Sequence, residues 1–161
     1  MTTRDTAYVR GAERLARRIQ TIRRSLALPV LTNEIGELLL RRTLDRFDRE
    51  VDPDGDRWVP LKSGTQRVKA RLGVGGILKR TLRLRNSIRL IRGSVTGLIF
   101  TNTGAGIRIG VADPTAAVYG GYHNRGVRPN PQRRFLGIGE LDVKSVDSFL
   151  RRRALTAVEE S

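Results

Sequence analysis

The chain has 161 residues, enough for one domain whose core needs no covalent staples. It has no cysteine and one histidine, which excludes disulfides, zinc–thiolate sites, thiol nucleophiles and His-rich metal sites. Lys and Arg number 31 against 16 Asp and Glu, a net charge of +15, so polyanions or acidic protein faces are the expected partners.

Residues 8–27 read as an amphipathic helix. Leu15, Ile19, Ile22 and Leu26 share one face, and arginines cover the rest. We treat residues 1–28 as a basic helical extension and 29–161 as a single domain. A second helix is predicted from Thr32 to Glu50, with Thr32 or Asn33 as its cap. Leu31, Ile35, Leu38 and Leu39 form one apolar stripe; Leu40, Leu44 and Phe47 form another on roughly the opposite side. Such a helix is either buried on both sides within its own domain or shares one side with a neighbouring subunit.

Asp52-Pro53-Asp54-Gly55-Asp56 is a turn by composition, and Trp58-Val59-Pro60-Leu61 an extended piece. A short helix follows at 63–72, stopped by Gly73-Val74-Gly75-Gly76, which reads as a flexible connector. Further helical turns are expected at 77–87. Short β-branched runs at 88–91, 97–101 and 106–111 predict strands, the last two joined by a hairpin loop at 102–105. Asp113-Pro114 marks the start of another helix, with Asp113 as cap. A Pro- and Arg-rich loop covers 127–137. A closing helix spans 140–158, with Leu141, Val146, Phe149, Leu150 and Leu155 as its core candidates. The predicted fold class is α+β: long N-terminal helices and a C-terminal helix flanking a small, mainly antiparallel sheet.

The charge is unevenly spread. Residues 57–112 hold 12 Lys or Arg and no acid, whereas 45–56 hold six acids. The basic stretch 67–92, which includes Arg83 and Arg85, has no aromatic for base stacking. That argues against sequence-specific nucleic-acid reading and leaves phosphate contact open. No catalytic motif accompanies His123, so no catalytic residue is expected. The acidic turn does not follow the EF-hand pattern, because Gly55 comes too early. No metal site and no cofactor are expected. No apolar run approaches the roughly 18 residues that a spanning helix needs, and the Arg-rich start does not read as a signal peptide.

Three separated motifs carry a family resemblance. The first is Phe47-x-x-Glu50-x-Asp52-Pro53-Asp54-Gly55-x-x-Trp58-x-Pro60-Leu61, with Thr65 and Lys69 beyond it. The second is Ile77-Leu78 followed by Leu82-x-Leu84-x-Asn86-Ser87-Ile88. The third is Tyr119-x-x-Tyr122-His123-Asn124-x-Gly126, then Pro131-x-Arg133-x-Phe135-Leu136-Gly137. In this order over about 32–155 they resemble the virion morphogenesis, or tail completion, family of Mu-like and related contractile-tailed phages. The chain departs from the family pattern at Leu82, Gly120, Asn124 and Arg134, where Gly, Ala, Gln and Pro are usual.

The resemblance implies a structural virion protein of the head–tail neck that forms a homo-oligomeric ring, expected to be a hexamer. It would complete the tail or join it to the connector, after assembly in the host cytoplasm. Implied partners are further copies of itself, adjacent neck or connector proteins and tail tube or sheath proteins. Non-specific contact with genomic DNA is compatible, and no membrane is involved. A basic nucleic-acid-binding accessory protein is the alternative. Candidate interface or structural anchors are Asp54, Trp58, Arg83, Arg85, Tyr119, His123, Arg133 and Phe135. The acidic turn at 52–56 and the basic stretch at 67–92 are candidate complementary patches between subunits. Phe135 and Leu136 read either as interface anchors or as members of the domain's own core.

Overall fold

The computed structural model describes residues 29–91, 100–102 and 107–159. The helix expected at 8–27 lies outside the described residues. Helix α1, Pro29–Arg49, buries Leu31, Ile35, Leu39 and Phe47 along one stripe. Thr43 lies on the same stripe and returns its hydroxyl to the Leu39 carbonyl at 2.8 Å. Leu38, Leu40 and Leu44 are half-buried against that same core. The two opposed apolar faces read from the sequence are therefore one broad face. Four-residue steps overshoot a 3.6-residue turn by about 40°, so a long buried stripe winds around its helix. Its two ends then look like separate faces in projection.

The chain reverses after α1 with Glu50 in the left-handed region (φ 56°), and Val51 bridges to Arg57. Helix α2, Ser63–Arg71, follows the extended 58–61 segment. The Gly-rich connector after it is tied down, since Lys69 donates its ammonium to the Gly76 carbonyl. Of the helical turns expected at 77–87, one forms, α3, Arg83–Asn86. Leu78 and Leu82 both have positive φ (58° and 57°), which no continuous helix allows. A long-range bond anchors the start of the segment: the Ile77 N–H donates to Glu50 Oε1 at 2.7 Å.

Strands β1 (Ile88–Leu90), β2 (Phe100–Asn102) and β3 (Arg108–Val111) form an antiparallel sheet in the order β1-β3-β2. The β2–β3 pairing matches Phe100 with Gly110 and Asn102 with Arg108, as the expected hairpin requires. α1 crosses this sheet at Gly36, where an added Cβ would come within 3.1 Å of Leu90 Cδ2.

Helix α4, Pro114–Arg125, starts as its sequence dictates. Asp113 Oδ1 accepts the Ala116 N–H at 2.8 Å, and Pro114 occupies the first turn. It ends at Gly126, left-handed at φ 74°. Helix α5, Glu140–Glu159, runs alongside α1. It buries Val143, Val146 and Leu150, with Phe149 half-buried. Leu141 and Leu155, expected in the core, are exposed. The buried edge of α5 is phased by Asp142, which occupies the inward position that a hydrophobic reading assigned to Leu141. The architecture is α+β, with α1 and α5 packed together and α1 lying on the sheet.

Candidate functional site

The three motifs converge at the C-terminal end of α1. The acidic turn is built first, by local bonds. Asp52 Oδ1 accepts the N–H groups of Asp54 (2.9 Å) and Asp56 (3.0 Å), and Gly55 takes φ 97°. The Trp58 N–H donates to the Glu50 carbonyl at 2.8 Å, closing the loop. Trp58 then packs edge-on against Phe47, ring centroids 5.4 Å apart.

The 133–139 segment clamps this loop from outside. Arg134 pairs its guanidinium with Asp52 Oδ2 at 2.9 Å and with Asp54, and its carbonyl accepts the Trp58 indole N–H at 2.8 Å. Arg133 is buried and donates to the carbonyls of Val59 (2.8 Å) and Pro60 (3.2 Å). Arginine suits this place because its planar fork can serve two acceptors at once. Burial lowers the affinity of the Arg133 guanidinium for its proton, and Glu50 opposes that shift. Phe135 is fully buried, 5.2 Å from Phe47 centroid to centroid. Of its two readings, membership of the domain's own core is the one observed, and Leu136 is buried with it.

Helix α4 holds the same segment by its last turn. Asn124 Oδ1 accepts the N–H groups of Phe135 (2.9 Å) and Leu136 (3.0 Å), and the His123 carbonyl accepts the Arg133 N–H at 2.8 Å. The departures from the family pattern at 124 and 134 are thus both bonded into the clamp. The His123 ring is half-buried, and its Nδ1 is buried without a partner. Burial, with the nearby Arg133 charge as the smaller cause, pushes its imidazole below the ordinary value.

One anchor escaped the sequence reading. Asp142, fully buried at the start of α5, binds the Arg42 guanidinium at 2.7 Å, that of Arg46, and the Gly139 N–H at 2.9 Å. Arg46 in turn donates to the carbonyls of Phe135 (2.9 Å) and Gly137 (3.0 Å). The available signal was weak: an arginine beside Phe47 on a stripe that was otherwise apolar. Gly139 completes the joint, because a Cβ there would lie 2.0 Å from the Pro53 carbonyl oxygen.

Most of the acids at 45–56 turn out to be spent within the chain. Asp48 pairs with Arg85 at 2.9 Å, Glu50 with Lys79 at 3.8 Å, and Asp45 with Arg49 at 3.4 Å. Arg83 pairs with Asp113 at 2.8 Å. Within the basic stretch, Arg67, Arg71, Arg80 and Arg89 remain exposed.

Between α2, the 59–62 segment, α4 and the 128–133 loop lies a groove of about 1100 Å³. Tyr119, His123, Arg83 and Arg133 line it together, whereas Asp54, Trp58, Arg85 and Phe135 lie outside it. Its walls are largely apolar, with Val68 (54% exposed) and Leu72 (55% exposed) facing solvent. Lys62, Arg80 and Arg128 also line it, and among the described residues no carboxylate does. Among the described residues no group of three or more His, Asp or Glu is placed to hold a metal ion. No helix among them is long and apolar enough to cross a membrane.

No solved structure matches the chain. It is similar to the Mu-like prophage FluMu G protein 1 of Haemophilus influenzae, with 28% identity over 131 residues, 81% of this chain and 82% of that relative. Residues 8–154 match the phage virion morphogenesis family, a span that starts well before the motifs and takes in most of the basic N-terminal segment. That match covers nearly the whole described domain, clamp and groove included, and the chain belongs to the phage virion morphogenesis family.

Proposed function

We propose that the protein is a structural subunit of the head–tail neck, acting as a homo-oligomeric ring that completes the tail or joins it to the connector. The observation that carries this reading is the groove. The domain closes its own core around Phe47, Trp58 and Phe135 and still leaves a large apolar groove open. Monomeric domains rarely expose such a surface without a partner. The family membership supports a role in building the virion rather than in catalysis. Contact, not chemistry, is the mechanism: the clamp of Arg133, Arg134 and Asp142 holds the groove's edge rigid, so that binding pays little ordering entropy.

Light scattering and native mass spectrometry on the full-length protein test the ring. A closed oligomer of defined mass is expected, and labelling the subunit in purified particles should mark the neck. A protein that stays monomeric at high concentration and labels no particle refutes the reading.

A nucleic-acid role has one observation in its favour, the exposed Arg67, Arg71, Arg80 and Arg89. It predicts DNA binding by the isolated chain that weakens steeply as salt rises, with a slope set by several phosphate contacts. A stable ring with little DNA affinity decides against it.

A further inference from the structure

Resting on the ring reading, we infer that the groove receives the C-terminal end of the last helix of the next copy, so that the ring closes through pole-to-pole contacts. The placement of the two ends carries this. The groove is tied to the C-terminal end of α1: Trp58 and Ile77, which flank its two walls, are both bonded to Glu50. Helix α5 runs the opposite way. Asp142, in its first turn, binds Arg42 and Arg46, and Arg153 binds Glu34 Oε1 at 2.9 Å. Thirteen residues at about 1.5 Å each put Leu155 roughly 20 Å from Asp142 along the helix. The end of α5 therefore lies at the pole away from its own groove, and only another copy can bring the two together. A contact between two different surfaces of one chain is heterologous, the kind that closes into rings.

Charge selects the occupant. Among the described residues the groove has a basic rim and no carboxylate. The end of α5 reads Leu155-Thr156-Ala157-Val158-Glu159-Glu160, with no Lys or Arg after Arg153. Leu155 is 65% exposed. A helix C-terminus also carries partial negative charge, and the sequence there adds the acids Glu159 and Glu160. Residues 1–28 are the other part of the chain that could be offered. They carry seven Arg against Asp5 and Glu13, so the basic rim repels them.

The test uses two full-length variants, a groove variant Val68→Asp/Leu72→Asp and a tip variant Leu155→Asp/Val158→Asp. Val68, Leu72 and Leu155 are exposed, so both should unfold at the wild-type temperature. Each alone should self-associate roughly thirtyfold more weakly or worse, the loss expected for an anchor at an interface centre. Mixed together they should form a dimer and stop, because only one competent groove and one competent tip remain. The charge exchange Lys62→Glu/Arg80→Glu with Glu159→Lys/Glu160→Lys should restore rings that either half abolishes. If the wild-type ring persists in both single-sided variants, the inference is overturned while the ring reading stands. Loss of the oligomer only on deleting residues 1–28 would assign the groove to that segment instead. Intact oligomers in variants that no longer yield tailed particles would assign it to a different protein. A wild-type monomer removes ring and contact together.

Discussion

Asp142→Asn is the sharpest probe of how this fold is held. Asp142 is fully buried and accepts from Arg42, Arg46 and the Gly139 N–H. Arg46 is itself only 4% exposed, and its remaining bonds go to two uncharged carbonyls. Neutralising Asp142 leaves that guanidinium buried without a counter-charge, a loss of about 3–5 kcal/mol. For a domain of this size about 1 kcal/mol moves the midpoint by roughly 2–4 °C, so Tm should fall by about 6–20 °C. Arg46→Met strips the carbonyls of Phe135 and Gly137 of their donor, while Arg42 still neutralises Asp142. The double variant Asp142→Leu/Arg46→Met removes the buried charge altogether. It should be less destabilised than the two single changes combined, by about 1–3 kcal/mol. Urea and thermal unfolding, followed by circular dichroism, measure all three. A single variant within about 1 kcal/mol of wild type, or strict additivity in the cycle, would refute the reasoning.

Arg133→Ala removes both bonds to the 59–60 carbonyls. It should cost about 1.5–3 kcal/mol and open the 59–62 segment to proteases before the rest of the chain unfolds. Gly139→Ala puts a methyl against the Pro53 carbonyl, where backbone must move. It should lower soluble yield and Tm, while Gly64→Ala, with open space around it, should not. His123 has a folded-state pKa below its ordinary 6.5 because of burial and Arg133. Between the two values the unfolded chain holds more protons than the folded one, so stability rises with pH there. Stability should fall as pH drops below about 6.5 and level off once the folded imidazole also protonates. Comparing wild type with His123→Gln by urea unfolding at a series of pH values on either side of the ordinary 6.5 should show the slope only in wild type. Neutralising the acids at 45–56 should destabilise the isolated subunit, since Asp48, Glu50, Asp52 and Asp54 all pair within the chain. An assembly defect with unchanged unfolding would instead return those acids to an interface.

Local chemistry was readable from the sequence wherever a few neighbouring residues decide the backbone. Asp113-Pro114 can only start a helix, and 52–56 can only turn. The three short strands and the α+β class follow from periodicity, and three motifs in order pointed to the family. Tertiary structure decided whatever depends on partners far along the chain. Arg134 finds Asp52 across 82 residues, and Arg46 finds Asp142 across 96. No window of sequence contains both members of either pair. The same separation explains the misplacements. Leu141 gave way to a buried Asp142 because a guanidinium from α1 makes burial of that carboxylate favourable. The 77–82 segment is irregular, with Leu78 and Leu82 both at positive φ, and its tie to Glu50 spans 27 residues. The groove is the extreme case, since its walls come from five separate stretches and none of them is unusual alone. Charge and composition raised the expectation of an acidic or polyanionic partner. Only the packing of α2, α4 and the clamp shows where an apolar groove with basic residues on its rim lies.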